Sequence, residues 1–564
     1  MSGSSILPWQ SLKALTRACA YALAVLAVGA RADAPADVPA SPSVHIGFSK
    51  SVPTVGDRIV VRLYVDSPAD KEVRLSLPNG EVTTRTANTD GALVWFPRRY
   101  GKYVFRLGEI EEAVWVTAEP MHFFVWDQTV FRKYVTHVLK PREAERSALW
   151  RRRGVRIVNW AGGEYLSRES EFGDKACARA QHWVDHWRPG NLDGDVDGIT
   201  IDEIYVADKP PMDELCNAVL EFRRLAGEGF AILPFFSGIE WDAVGPMWDL
   251  REAGVPCMEE NYWGGEEVYA KRWADVRLFN LDKKGAVLSQ APGFYLDDAR
   301  RGPQTVEEFR ADIALCRRIA PEMRGISLFN AYDNREADRA ADAVIEELFF
   351  RPVIHLHPRN GKLMAQNIGN EDTVEGASLE FLKGDEVVGT ASVPVLTPYQ
   401  ETALEVPRGA RRVRLKLPGE VNHVYEGGVF ELPKNFNPLQ VVWSSLQQEE
   451  TVYLDGNGLK AELRFNAPVA SADPKSVWLK GATVGMAAIK AARLSKDRKS
   501  LRISTGRLAE DRYSLRLLSG EKHFRDDAGN PLDGSGNGFC ENAPGLYQDS
   551  DHFAVDFRIK RRAS

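Results

Sequence analysis

Residues 193–205 read DGDVDGITIDEIY, and five of these thirteen side chains are carboxylates: Asp193, Asp195, Asp197, Asp202 and Glu203. A second acidic stretch, MEENYW at 258–263, brings Glu259 and Glu260 next to Tyr262 and Trp263. Breaking a glycosidic bond takes two carboxyl groups, one protonated to donate to the leaving oxygen and one ionised to act as nucleophile or base. An adjacent acid or partial burial keeps a carboxyl protonated near neutral pH, and paired acids provide the first of these. Aromatic and amide residues recur in similar settings: Trp126 with Asp127, Asn159 with Trp160, then Tyr205, Gln290, and Asn330 with Tyr332. Flat rings stack on the apolar faces of sugars, while amides and acids bind hydroxyls. A few convergent polar groups among apolar walls are what a small-molecule site needs.

These residues matter only if the chain brings them together. From 120 to 351, apolar strand-like runs alternate with amphipathic helical runs. FFVW (123–126), RIVNW (156–160), GITIDEIY (198–205), FAILPFF (230–236), VPCMEENYW (255–263), AVLSQA (286–291) and GISLFNAY (325–332) each precede a helical stretch. That alternation predicts a (β/α)8-type barrel. Seven strands are clear, so an eighth is short and hidden or the barrel is incomplete. A doubly wound open sheet is the alternative, but no Gly-rich phosphate loop follows the first strand. In a barrel the site forms at the carboxyl ends of the strands, where the acids and aromatics named above fall. Strand alternation turns Ile199 and Ile201 toward the helices and Gly198, Thr200 and Asp202 toward the barrel interior. Glu203 reaches the site only if the strand has begun to turn. Glu259 and Glu260 face opposite ways, and alternation alone does not say which enters.

The flanks read differently. Residues 1–32 carry Lys13 and Arg17, an apolar run and an A-x-A site, the pattern of a signal peptide. A Pro/Ala/Ser linker follows at 33–43, so the protein is expected to be exported, without stable membrane insertion. Short alternating strands with turn signals predict a β-sandwich at 44–119 and two more at 352–433 and 434–564. A net charge of −7 with no basic run argues against a nucleic-acid partner. No cofactor motif stands out, and the oligomeric state is open.

Asp193, Asp195, Asp197 and Gly198 imitate the opening of an EF-hand, but the twelfth position is Ile204 where the loop needs an acid. No dedicated metal site is therefore expected; a looser calcium site on the three aspartates stays open. His355 and His357 imitate a metal pair but fall in a sandwich strand, where a structural role is expected. No H-E-x-x-H or G-x-S-x-G motif occurs. Among the cysteines, Cys177, Cys216 and Cys316 fall in helical runs and are expected to be buried apolar residues.

The segment from Asp197 resembles the D-G-x-D-x-D-x-E strand of chitinase-like glycoside hydrolases. Asp197-Gly198 and Asp202 match, Thr200 replaces one acid, and the terminal acid comes one residue early, at Glu203. More broadly it resembles the acid-bearing strand of barrel glycosidases. That resemblance implies a carbohydrate substrate, with a catalytic acid at Asp202 or Glu203; the second acid is expected from the MEENYW stretch, at Glu259 or Glu260. A glycan-binding or surface scaffold without catalysis is the alternative. The last domain is similar to bacterial Ig-like domains of S-layer and secreted proteins, through Arg464-Phe465-Asn466-Ala467-Pro468, Leu508-Ala509 with Tyr513-Ser514-Leu515, and the run from Asp527 to Gly534.

Overall fold

The computed structural model describes residues 45–561 except for 68–70, 127–132, 163–195, 206–211, 238–249, 260–292, 330–334, 433–437, 535–551 and several shorter breaks. At its centre is one eight-stranded sheet. Its strands are β1 His122–Val125, β2 His137–Leu139, β3 Arg156–Gly162, β4 Gly198–Tyr205, β5 Ala231–Ser237, β6 Met258–Glu259, β7 Gly293–Tyr295 and β8 Gly325–Phe329. The order across the sheet is β6-β5-β4-β3-β2-β1-β8-β7, and every neighbouring pair is parallel. The last strand therefore pairs with the first, with Ile326 opposite Phe123.

The short β2 has no counterpart among the strands predicted from the sequence, because three residues are too few to show a period. The strand expected at 286–291 lies outside the described residues; β7 stands just after it.

Four helices are described: α1 Ala144–Arg152, α2 Met212–Ala226, α3 Val306–Ile319 and α4 Arg335–Ile345. They follow β2, β4, β7 and β8, as parallel pairing requires of its crossovers. Helix α3 begins with a capping box, Glu308 N–H donating to Thr305 Oγ1 at 3.1 Å and Thr305 N–H to Glu308 Oε2 at 2.8 Å. Its buried Phe309, Ile313 and Cys316 recur at helical spacing. Cys316 is a free, buried thiol, as its helical setting implied, and burial pushes its pKa well up.

Alternation along the strands builds two cores. Phe123, Val125, Val138, Ile157, Ile199, Ile201, Ile232, Ile326 and Leu328 face the helices. Phe124, Val158, Ala231, Leu233, Phe235 and Met258 form a separate cluster on the other face, with Trp126 and Leu139 packed against it. Phe124 on β1 touches Phe235 on β5, ring centroids 5.3 Å apart. The sheet curls, with this second face inside.

Before the parallel sheet lie a three-stranded sheet (45–48, 59–64, 92–95) and a four-stranded one (72–76, 82–86, 101–107, 110–116), packed around Ile59, Val61, Val73 and Phe105. Tyr103 Oη donates to the Arg99 carbonyl at 3.0 Å. Two four-stranded sheets follow between Val353 and Glu431. Their core runs without a break into the helix-facing core of the parallel sheet, and Trp115 of the first sandwich joins it by stacking on Phe350 at 5.6 Å. The chain from Leu439 builds two five-stranded sheets around a core of its own. There Tyr513 Oη donates to the Ala509 carbonyl at 3.3 Å, the same four-residue reach as in the first sandwich and like the corner tyrosine of Ig-type folds. Among the described residues no helix is long and apolar enough to cross a membrane.

Candidate active site at the carboxyl ends of the parallel strands

The inner face is laid down in layers by strand register. The lowest complete layer holds Ser327, Phe124, His137 and Arg156. Above it come Leu139, Val158, Gly198 and Ala231. Gly198 is required there, because a Cβ would lie 2.3 Å from the Ala231 carbonyl oxygen. The next layer holds Trp160, Thr200 and Leu233. Thr200 is fully buried, and its hydroxyl donates to the Leu233 carbonyl at 3.2 Å. This is the position where the chitinase-like strand carries an acid. A hydroxyl satisfied by a neighbouring carbonyl suits a site that a charge would enter only at a desolvation cost.

Above Thr200 the register breaks. Ile201 pairs with Pro234 and Ile204 with Phe236, so Asp202 and Glu203 together stand opposite the single residue Phe235. On the other side the pairing stays regular, Gly162 opposite Asp202. A β-bulge thus sits on the two acids. Counting in twos from Thr200, which alone favoured Asp202 over Glu203, stops being valid at this point. Beyond the bulge, Tyr205 pairs with Ser237.

On β6, Met258 pairs with Phe235 and belongs to the inner cluster, while Glu259 pairs with Phe236. Glu260 lies outside the described residues, as do Asp127, Tyr262, Trp263, Gln290, Asn330 and Tyr332.

Two tryptophans mark the same rim. Trp126 follows β1, half-buried, with its ring 5.3 Å from Phe124 and 5.7 Å from Phe235. Trp160 sits two residues beyond the buried Val158 on β3 and is 45% exposed. Asn159 stands on the opposite face of β3, in register with the helix-facing Ile199, and its Oδ1 accepts from the Trp160 N–H at 3.1 Å. The rim therefore combines an anchored ring, an open ring and two acids at a bulge.

The amino-terminal end of the inner face is built from groups that the sequence reading did not single out. His122 and His137 stack with centroids 5.8 Å apart and planes 10° from parallel. Burial, reinforced by the charge of Arg156, pushes the His122 pKa down to about 4. Burial pushes His137 well below the usual range too, with His122 and Arg156 adding to it. Both are neutral at physiological pH. The available signal was alternation: His122, Phe124 and Trp126 share one face of β1.

Asp197 also lies at this end, away from the rim. Its Oδ2 accepts from the Ile157 N–H at 2.8 Å and meets Arg151 Nε at 3.5 Å, so its carboxylate ties β4 to β3 and α1. Asp193 and Asp195 lie outside the described residues. His355 Nε2 bonds the Arg318 carbonyl at 2.9 Å, and His357 Nε2 lies 3.5 Å from Glu401.

No protein-family model and no curated protein matches the sequence. Among solved structures, the chain is similar to an endo-β-N-acetylglucosaminidase from Cordyceps militaris, at TM-score 0.29 and 11% identity over 40% of this chain and 90% of that one. It is similar to a β-D-glucuronidase from Dictyoglomus thermophilum, at TM-score 0.24 and 11% identity over 51% of this chain and 62% of that one. A surface-layer protein aligns at TM-score 0.15 and 13% identity, over 23% of this chain and only 14% of its own length. Glycoside hydrolases thus stand among the structural neighbours, at a similarity too low to carry an argument about activity or substrate.

Proposed function

We propose that this protein is an exported glycoside hydrolase whose eight parallel strands form a (β/α)8-type barrel, with the reaction at its carboxyl-end rim. The observation that carries the reading is the bulge that sets Asp202 and Glu203 together opposite Phe235. Bulges concentrate where a side chain must be re-aimed at a site, and this one falls on the two acids at the carboxyl end of β4. The parallel order and the contact across the sheet support the barrel.

The second acid is assigned to Glu260. Met258 packs in the inner cluster, and the residue two further on in sequence is Glu260, whereas Glu259 pairs in register with Phe236. One carboxyl, kept protonated by its acidic neighbour, gives its proton to the glycosidic oxygen as the C–O bond breaks. The other, ionised, attacks the anomeric carbon or deprotonates the water that does. Trp160, 45% exposed, offers ring surface to a pyranose, and Trp126 walls the site. The sandwich domains carry the barrel, and the last one, being Ig-like, holds the protein at a surface.

The test is a glycan panel followed by reducing-end release. Wild-type cleavage of at least one glycan is expected, with loss in Glu260→Gln and in a variant of at least one bulge acid. Binding without cleavage of any glycan would reduce the protein to a lectin-like scaffold.

A further inference from the structure

At the amino-terminal end of the parallel sheet, away from the rim, the first sandwich closes over the end of α1 and leaves a cleft of about 360 Å³. Its size is within the ~300–1,000 Å³ of small-molecule sites. Four arginines line it: Arg62 from the sandwich, Arg151 and Arg152 from the last turn of α1, and Arg156 from β3. Among the described residues the one acid lining it is Asp197, which already holds the Ile157 N–H and Arg151. Among the described residues, Arg62, Arg152 and Arg156 have no carboxylate partner; Arg152 lies over the Tyr64 ring at 5.1 Å.

The helix dipole explains cations at the end of α1. It does not explain Arg62, on a strand of another domain, or Arg156, on β3. Guanidinium groups do not shed their charge, so gathering them in one cleft is unfavourable until an anion enters. The surplus stands out further because the whole chain carries a net charge of −7.

The walls are fixed in advance. A Cβ on Gly47 would lie 2.3 Å from the Arg152 carbonyl oxygen, and one on Gly154, at φ +79°, would lie 2.5 Å from the Lys50 backbone. The Ser51 N–H donates to the Gly154 carbonyl at 3.2 Å. Tyr64 is braced from behind by His45, stacked at 4.4 Å.

We propose that this cleft binds a compact molecule carrying oxyanion groups (carboxylate, sulfate or phosphate), held by Arg62, Arg152 and Arg156 beside the Tyr64 ring. The site is separate from the proposed rim, and its test reads binding rather than cleavage, so either can fail alone. The experiment is calorimetric titration of the full chain with inorganic sulfate, inorganic phosphate, a diglucuronate and neutral maltose. At least one anion is expected to bind, more weakly as salt rises, and maltose is not. Arg62→Gln and Arg156→Gln are each expected to weaken binding by about tenfold, as loss of one charge-assisted contact does. Arg464→Gln, on the last domain, is expected to leave it unchanged. Tighter binding of diglucuronate than of the inorganic ions makes an acidic saccharide the ligand; the reverse makes it a free ion. No heat with any anion up to about 10 mM, equal binding of maltose, or wild-type affinity in a folded Arg62→Gln variant would overturn the proposal. Arg62 is exposed on its strand, so that variant tests the cleft even if Arg156→Gln fails to fold.

Discussion

Phe124 and Phe235 touch with ring centroids 5.3 Å apart, although three strands lie between theirs in the sheet. In a flat sheet, four strand spacings of ~4.8 Å would hold them about 19 Å apart. Their contact measures the curl that gathers the strand ends around one space. Phe124→Ala and Phe235→Ala are each expected to cost about 3–5 kcal/mol. The double variant should cost less than the sum by more than about 0.5 kcal/mol, because the two share the contact. Scanning calorimetry of the four proteins checks this; strictly additive costs would contradict the contact.

Trp160 is the open ring of the rim, 45% exposed, and its removal should separate binding from folding. Trp160→Ala is expected to change stability by less than about 1 kcal/mol. It should weaken glycan binding by about tenfold, the scale of one lost stacking face. Affinity electrophoresis against the same glycans reads the second effect, and unchanged retention would remove Trp160 from the site.

Gly325 opens β8 at φ +150°, and a Cβ there would lie 1.7 Å from the His122 carbonyl oxygen. The pairing of the last strand with the first depends on that approach. Gly325→Ala is expected to destabilise by at least about 3 kcal/mol, the backbone having no room to yield. A variant with wild-type melting would contradict the β8–β1 junction.

The histidine pair sets an acid limit. Burial first, then Arg156, hold His122 in the fold near pKa 4, against 6.5 for the exposed group. The unfolded chain therefore binds a proton that the folded chain refuses between those values. Stability should be full above pH 6.5 and fall as the pH drops toward 4. His137 acts in the same direction. Denaturant midpoints at pH 7, 6, 5 and 4.5 test it, and His122→Gln should flatten the slope. A midpoint independent of pH over this range would show that neither histidine is buried neutral.

Part of the strand layout was readable from residue order. The alternation Gly198, Thr200 against Ile199, Ile201 does separate an inner face from a helix-facing one, and Tyr103 and Tyr513 lie in strands that the period-2 patterns marked. What escaped has physical reasons. His137–Leu139 is too short to carry a period. The bulge at Asp202–Glu203 arises from pairing with β5, whose facing residue Phe235 comes 33 residues after Asp202, and no local pattern in GITIDE records it. The arginine cleft joins Arg62 to Arg156 through a domain contact, which spacing along the chain does not reveal. Asp197, the third acid of the EF-hand imitation, engages a neighbouring strand and helix through its Oδ2, a pairing that local spacing does not record.

The catalytic pair proposed here is one acid of the β4 bulge, Asp202 or Glu203, with Glu260, the residue that follows β6 in sequence. Its most direct measurement is the rate of glycan cleavage by Glu260→Gln beside Glu259→Gln, both shown to be folded. The expected result is a loss of at least about a thousandfold in the first and less than about tenfold in the second, since only a carboxyl that transfers the proton or bonds the sugar is indispensable. Equal rates in the two variants, or wild-type cleavage in Glu260→Gln, would contradict the account.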